Sequence, residues 1–128
     1  MNAEPASEIR SLATGIRTVA LVFVLILGYF NLRWALGIDT FHRIFMDMLG
    51  GKALPGLTML VFQYSRVLIV FACLIPLAAL AVTFWCRNHR NALCSLAGLM
   101  AAAFLQMHVV GTAIMEPFYA ITTALSQP

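Results

Sequence analysis

The sequence predicts an all-α polytopic membrane protein, with three transmembrane helices and one short amphipathic interfacial helix. Three observations carry that prediction. The 128 residues are 62% hydrophobic and only 10% charged, against about 45–50% and 25% in a soluble domain, and the mean hydropathy is +0.90. The apolar residues gather in three long runs without formal charge. Between the first two runs, a shorter stretch repeats its apolar residues at helical spacing. One small domain cannot hide so much apolar surface in a single core, so the lipid bilayer is the expected partner.

The N-terminal residues 1–15 mix Pro5, Ser7, Ser11 and Gly15 with Glu4, Glu8 and Arg10, the pattern of a flexible tail. Residues 18–32 carry no charge and are bracketed by Arg17 and Arg33. This run is short of the ~20 residues that span hydrocarbon, but both arginines can snorkel and Trp34 suits an interface. A first span is expected over 16–36. A cleaved signal peptide is the rival reading, and Arg33 and Trp34 stand where a cleavage region should be small and neutral.

Phe41, Ile44, Phe45, Met48 and Leu49 fall on one helical stripe, with His42, Arg43 and Asp47 on the other side. The spacing predicts an amphipathic helix over 39–50, capped by Asp39 or Thr40, ended by Gly50 and Gly51, and docked at the membrane surface by Phe41, Phe45 and Leu49. Leu54 and Pro55 then restart the chain, Pro55 suiting a first helical turn. The second span is expected over 60–86. Its uncharged run lies between Arg66 and Arg87, with Pro76 near the centre as a kink. The third is expected over 91–115, after the turn from Arg87 to Arg90, with residues 116–128 as a C-terminal tail. An odd number of spans puts the termini on opposite sides. The density of Arg87 and Arg90 in the short turn favours a cytoplasmic N-terminus.

Intramembrane polar residues are the place to look for function. Gln106 and His108 lie deep in the third span and suit hydrogen bonds between helices. His108, Thr112 and Glu116, spaced by four, share one flank of the helix. His108 is the single weak candidate for a cofactor ligand, for example to haem, which between helices usually takes two axial ligands. Small residues recur at Ala97 and Ala101, Gly98 and Ala102, and Ala78 and Val82, a spacing that permits close helix approach. Within one chain this reads as the packing of the hairpin formed by spans two and three.

Several classes of function find no support. The eight Lys and Arg residues are scattered, giving net charge +3 without a basic face, so no nucleic-acid partner is expected. Cys73, Cys86 and Cys94 form no zinc-type spacing and no C-x-x-C pair. No metal site, resident cofactor or catalytic residue is expected: there is no G-x-S-x-G, H-E-x-x-H or Walker loop, and no carboxylate pair beside a nucleophile.

The stretch Phe41-His-Arg-Ile-Phe-Met-Asp-Met-Leu-Gly50, followed by Ala53-Leu-Pro-Gly-Leu-Thr58 and a hydrophobic helix, resembles the inner-membrane platform protein (F protein) family of type II secretion and its type IV pilus counterpart. The closing segment Met115-Glu-Pro-Phe-Tyr-Ala-Ile-Thr-Thr-Ala-Leu125 is similar to that family's segment after its last span. The resemblance implies a bacterial-type inner membrane, an N-terminus inside, a scaffold role, and a structural turn built by Leu54, Pro55 and Thr58. The two cytoplasmic domains of that family have no counterpart here beyond residues 1–16 and 87–90, so contact with an assembly ATPase does not carry over.

The leading expectation is a non-catalytic inner-membrane protein that acts through helix-helix contact, as a scaffold or accessory subunit of a membrane assembly or as a homo-oligomer. Its contact residues are Phe41, Phe45, Leu49, Leu54, Pro55, Thr58, Gln106 and His108. Alternative readings are an immunity protein against a membrane-active toxin and a small haem- or quinone-associated redox subunit using His108.

Overall fold

A computed structural model describes residues 4–50 and 53–126 of the chain. They form four helices: α1 (Glu4–Leu49), α2 (Gly56–Gln63), α3 (Ser65–Trp85) and α4 (His89–Ser126). Three stretches, Ser7–Met48, Ser65–Trp85 and His89–Thr123, are long and apolar enough to cross a membrane.

The element boundaries correct the sequence reading in three places. Residues 4–15 are helical rather than a flexible tail, and the first span and the amphipathic stretch belong to one helix, with no separate start at Asp39 or Thr40. Once a helix is nucleated, each added residue gains a backbone bond without a new nucleation cost. Pro5 stands in the first turn, where a missing N–H costs nothing. The second span is broken at Tyr64 into α2 and α3, and Pro55 is the residue before α2 rather than its first helical one. Residues 116–126 continue α4 through Pro117 instead of forming a tail. Helix α1 ends at the glycine pair, where Gly50 takes the left-handed conformation with φ 56°, a backbone state that costs glycine nothing. Gly51 lies outside the described residues.

The directions of the helices follow from their cross-contacts. Arg17 of α1 meets Val82 and Thr83 of α3, and Gly28, further up α1, meets Pro76, so α1 and α3 run antiparallel. Asn31 of α1 meets Ala103 of α4 and Phe45 meets Phe118, so α1 and α4 run parallel. The short turn between α3 and α4 returns the chain antiparallel. The result is a three-helix bundle, α2 extending the α3 line at one end.

Two buried clusters lie in sequence along this bundle. The first, near the α3–α4 turn, joins Val24, Leu27, Ile75, Ala79, Leu96 and Ala103. The second joins Ala35, Ile38, Phe45, Val61, Ala72, Val110, Ala113 and Ile114. Between them, Gly28 lets α1 close onto the Pro76 ring: a Cβ at this glycine would stand 3.2 Å from it.

Two residues of the amphipathic stripe, Phe41 and Phe45, have their own bundle as partner, whereas Ile44 and Met48 are exposed. Phe45 is 0% exposed, its ring edge-on to Phe118 at 5.0 Å and tilted against Phe62 at 6.3 Å. Phe41 is half-buried and stacked on Phe45. Periodicity identifies the apolar face of a helix and leaves open what covers it. The small-residue stripe behaves in the opposite way. Ala97, Gly98, Ala101 and Ala102 are all exposed, and a Cβ built on Gly98 meets nothing within 4 Å. Ala97, Gly98 and Ala101 thus face outward, Ala102 opens on a groove between α3 and α4 with Ala78, and Val82 packs on the first cluster.

Candidate functional site

Among the described residues, four side chains tie the helices together, and each donates to a main-chain carbonyl. Arg17 donates from its guanidinium to the carbonyls of Val82, at 3.1 Å, and Thr83. Helix α3 ends at Trp85; Val82 O also accepts the Cys86 N–H at 3.0 Å, so Arg17 shares that carbonyl and gives a partner to Thr83 O, whose own helical donor would lie past the end of the helix. A cation is also favoured at that negative end of the helix dipole. Arg17 is thus a cap for α3 rather than a side chain reaching for headgroups.

Asn31 is 2% exposed and donates from Nδ2 to Leu27 O on its own helix and to Ala103 O on α4, both at 3.0 Å. It sits near the junction of the two clusters. Gln106 donates from Nε2 to Leu68 O at 2.8 Å, joining α4 to α3.

Thr58 is 0% exposed and its Oγ1 donates to Ala113 O at 2.7 Å. The reason lies four residues on. Pro117 sits inside α4 and has no N–H for the carbonyl at i−4, which is that of Ala113. Thr58, carried on the first turns of α2, supplies the missing donor. The tie explains how α4 continues through a proline and why a short helix begins after Pro55.

The remaining contact residues fall in different places. Leu54 is half-buried against the second cluster. The Leu49 side chain lies outside the described residues. His108 is exposed and lines a groove between α1 and α4 with Trp34, Thr112 and Glu116. His42 lines a separate groove between α1 and α2 and lies against Phe62, with ring centroids 4.8 Å apart. The structure thus joins Phe41, Phe45, Thr58 and Leu54 in one end of the bundle, places Gln106 at the α3 contact, and leaves His108 facing outward. Among the described residues, no three His, Cys, Asp or Glu side chains are grouped to hold a metal ion.

Two ties escape the sequence reading. Asn31 is a carboxamide within an uncharged run, the same signal that singles out Gln106. Arg17 is visible only as a flanking charge, since its acceptors are backbone atoms with no mark in the sequence.

Fold and ties together define a class: an all-α protein with three helices able to span a membrane, held by polar side chains on main-chain carbonyls. Comparison of the chain with protein-family models, curated proteins and solved structures finds no match in any of the three.

Proposed function

We propose that the chain is an integral protein of a bacterial-type inner membrane, with its N-terminus in the cytoplasm, acting by helix-helix contact as a scaffold or accessory subunit of a larger assembly. In each apolar window only 17% of residues are buried within the bundle. Phe23, Phe30, Phe71 and Leu77 are among the large apolar side chains left exposed, a surface that suits acyl chains. Arg17, Arg87 and Arg90 mark one edge of this zone, and Arg33 and Arg66 the other.

The observation that carries the contact role is the exposed apolar surface beyond the second edge. With 46 residues, α1 is about 69 Å long, more than twice the ~30 Å of bilayer hydrocarbon. Past Arg33 the ends of α1 and α4 with α2 make a helical head. Ile44, Met46, Met48, Met59 and Leu60 are exposed there, where acyl chains do not reach. Apolar patches of this kind mark contact sites, and methionine suits adaptable ones. The outward stripe of Ala97, Gly98, Ala101 and Ala102 offers a second approach for a neighbouring helix within the bilayer. The resemblance to the platform family supports the same scaffold role in a secretion-like assembly.

Site-specific photocrosslinking in native membranes tests this reading. A crosslinker at Met59 should capture another membrane protein, while one at Phe71 should capture lipid. Protein adducts absent at Met59, or equal at both positions, would refute the contact role. For topology, Cys86 and Cys94 should label from the cytoplasmic side and an Asp47→Cys variant from the other; labelling from one common side rejects the three-span arrangement.

A further inference from the structure

The groove between α1 and α4 has a graded lining that selects its occupant. It has a volume of about 600 Å³ and runs along α4 from Phe104 to Tyr119, with Trp34 contributed by α1. That stretch covers about 22 Å of helix. In the membrane arrangement proposed above, on which this inference rests, Phe104 and Met107 lie at the edge of the hydrocarbon and Glu116 and Tyr119 lie beyond it. The lower part is apolar and aromatic. The upper part presents His108, Thr112 and Glu116 at successive turns of one helix flank, beside Trp34 and Tyr119.

Glu116 is the decisive member. Its Oε2 is buried and has no hydrogen-bond partner, and no Lys or Arg lines the groove. A carboxylate oxygen sheltered from water without a donor is costly, so the complement of this wall is a cation. Trp34 and Tyr119 add aromatic faces, which attract ammonium groups. The Thr112 hydroxyl, one turn away at about 6 Å along the axis, and the His108 ring, two turns away at about 12 Å, offer donors suited to phosphate oxygens. A phosphate and an ammonium joined by a short linker, above an acyl chain, match that order.

We infer that this groove binds a phospholipid with an ethanolamine head group, its ammonium on Glu116, its phosphate beside Thr112 and His108, and an acyl chain along Phe104 and Met107. The primary ammonium brings both a positive charge and N–H donors to the side of the Glu116 carboxylate that lines the groove. A trimethylated ammonium has no N–H to give, and an anionic glycerol head group brings no cation at all.

Trp34 reports on the groove directly. The chain has two tryptophans, and the other, Trp85, is 86% exposed, so a Trp85→Phe variant leaves Trp34 as sole fluorophore. This variant is reconstituted into phosphatidylglycerol vesicles containing a fixed small fraction of lipid brominated on its acyl chains, with ethanolamine, choline or glycerol head groups. Contact with bromine quenches tryptophan. The ethanolamine lipid should quench with an apparent affinity about fivefold above the glycerol lipid, the scale of one partly exposed ion pair with an aromatic contact. Glu116→Gln, nearly isosteric, should bring that ratio to about one with helicity by circular dichroism unchanged.

Equal quenching by all three lipids in the parent protein, which needs no groove variant, overturns the inference, as does choline matching ethanolamine. A preference that survives in Glu116→Gln also overturns it. Displacement of the brominated lipid by millimolar soluble phosphoethanolamine would assign the site to a free amine and overturn the lipid. No quenching by any lipid overturns the membrane reading itself, a result distinct from equal quenching.

Discussion

Replacing Thr58 tests whether α2 exists to satisfy the carbonyl that Pro117 leaves free. The informative comparison is Thr58→Ser against Thr58→Ala. Both lose the threonine methyl at a fully buried position, and they differ in the hydroxyl that donates to Ala113 O at 2.7 Å. Leaving a buried carbonyl without a donor costs about 1–3 kcal/mol, and polar contacts between membrane helices measure about 0.6–2 kcal/mol. The serine variant should therefore exceed the alanine variant in stability by about 1–2 kcal/mol. The same pair in a Pro117→Ala background supplies the control. There residue 117 regains an N–H, Ala113 O regains its helical donor, and the difference should fall below about 0.5 kcal/mol, a coupling within the range measured for contacting residues. Unfolding in mixed micelles, followed by circular dichroism, measures all four variants. An equal serine–alanine difference in both backgrounds would refute the link between Thr58 and Pro117.

Other expectations follow from the same geometry. Asn31→Leu should cost less than about 1 kcal/mol, because the carbonyls of Leu27 and Ala103 lie within regular helix and keep their own N–H donors; a loss as large as that of Thr58→Ala would contradict this in the same assay. Gly28→Leu should destabilise by about 2 kcal/mol or more, as atoms beyond a Cβ already 3.2 Å from Pro76 overpack the α1–α3 contact. Gly28→Ala should stay within about 1 kcal/mol, since its gain in helix propensity offsets the crowding. Arg17→Met should cost about 1.5–3 kcal/mol, the range for hydrogen bonds from a charged group; greater protease sensitivity at the α3–α4 turn would locate the loss at that end of the bundle.

Composition and run length are properties of neighbouring residues, which is why the three apolar stretches are legible in the sequence. The continuity of α1 is not legible in hydropathy. Arg33, Asp39 and Arg43 interrupt the apolar run without interrupting the backbone ladder, and a helix passes from one environment to another with no change in its φ and ψ. The stripe around Phe45 is equally plain as a pattern, yet lipid and the rings of Phe62 and Phe118 are both apolar covers for it. Thr58 stands out in the sequence through its place in a turn, whereas its partner follows from a proline 59 positions later. That pairing appears only when α2 lies against α4. Gln106 and His108 look alike as polar residues of one span, but they lie two residues apart and so face about 200° apart around the helix. One reaches α3 and the other opens on a groove.

Every tie described here joins a side chain to a peptide carbonyl, a group that all residues possess. The bond itself makes no demand on the side chains of the accepting positions Leu68, Val82, Thr83, Ala103 and Ala113, although packing keeps Ala103 and Ala113 small. As a hydrogen bond, each tie restricts the donating residue alone, one position in the chain rather than two. Pairwise covariation, which detects matched side chains, would be silent at these contacts however strongly they hold the helices.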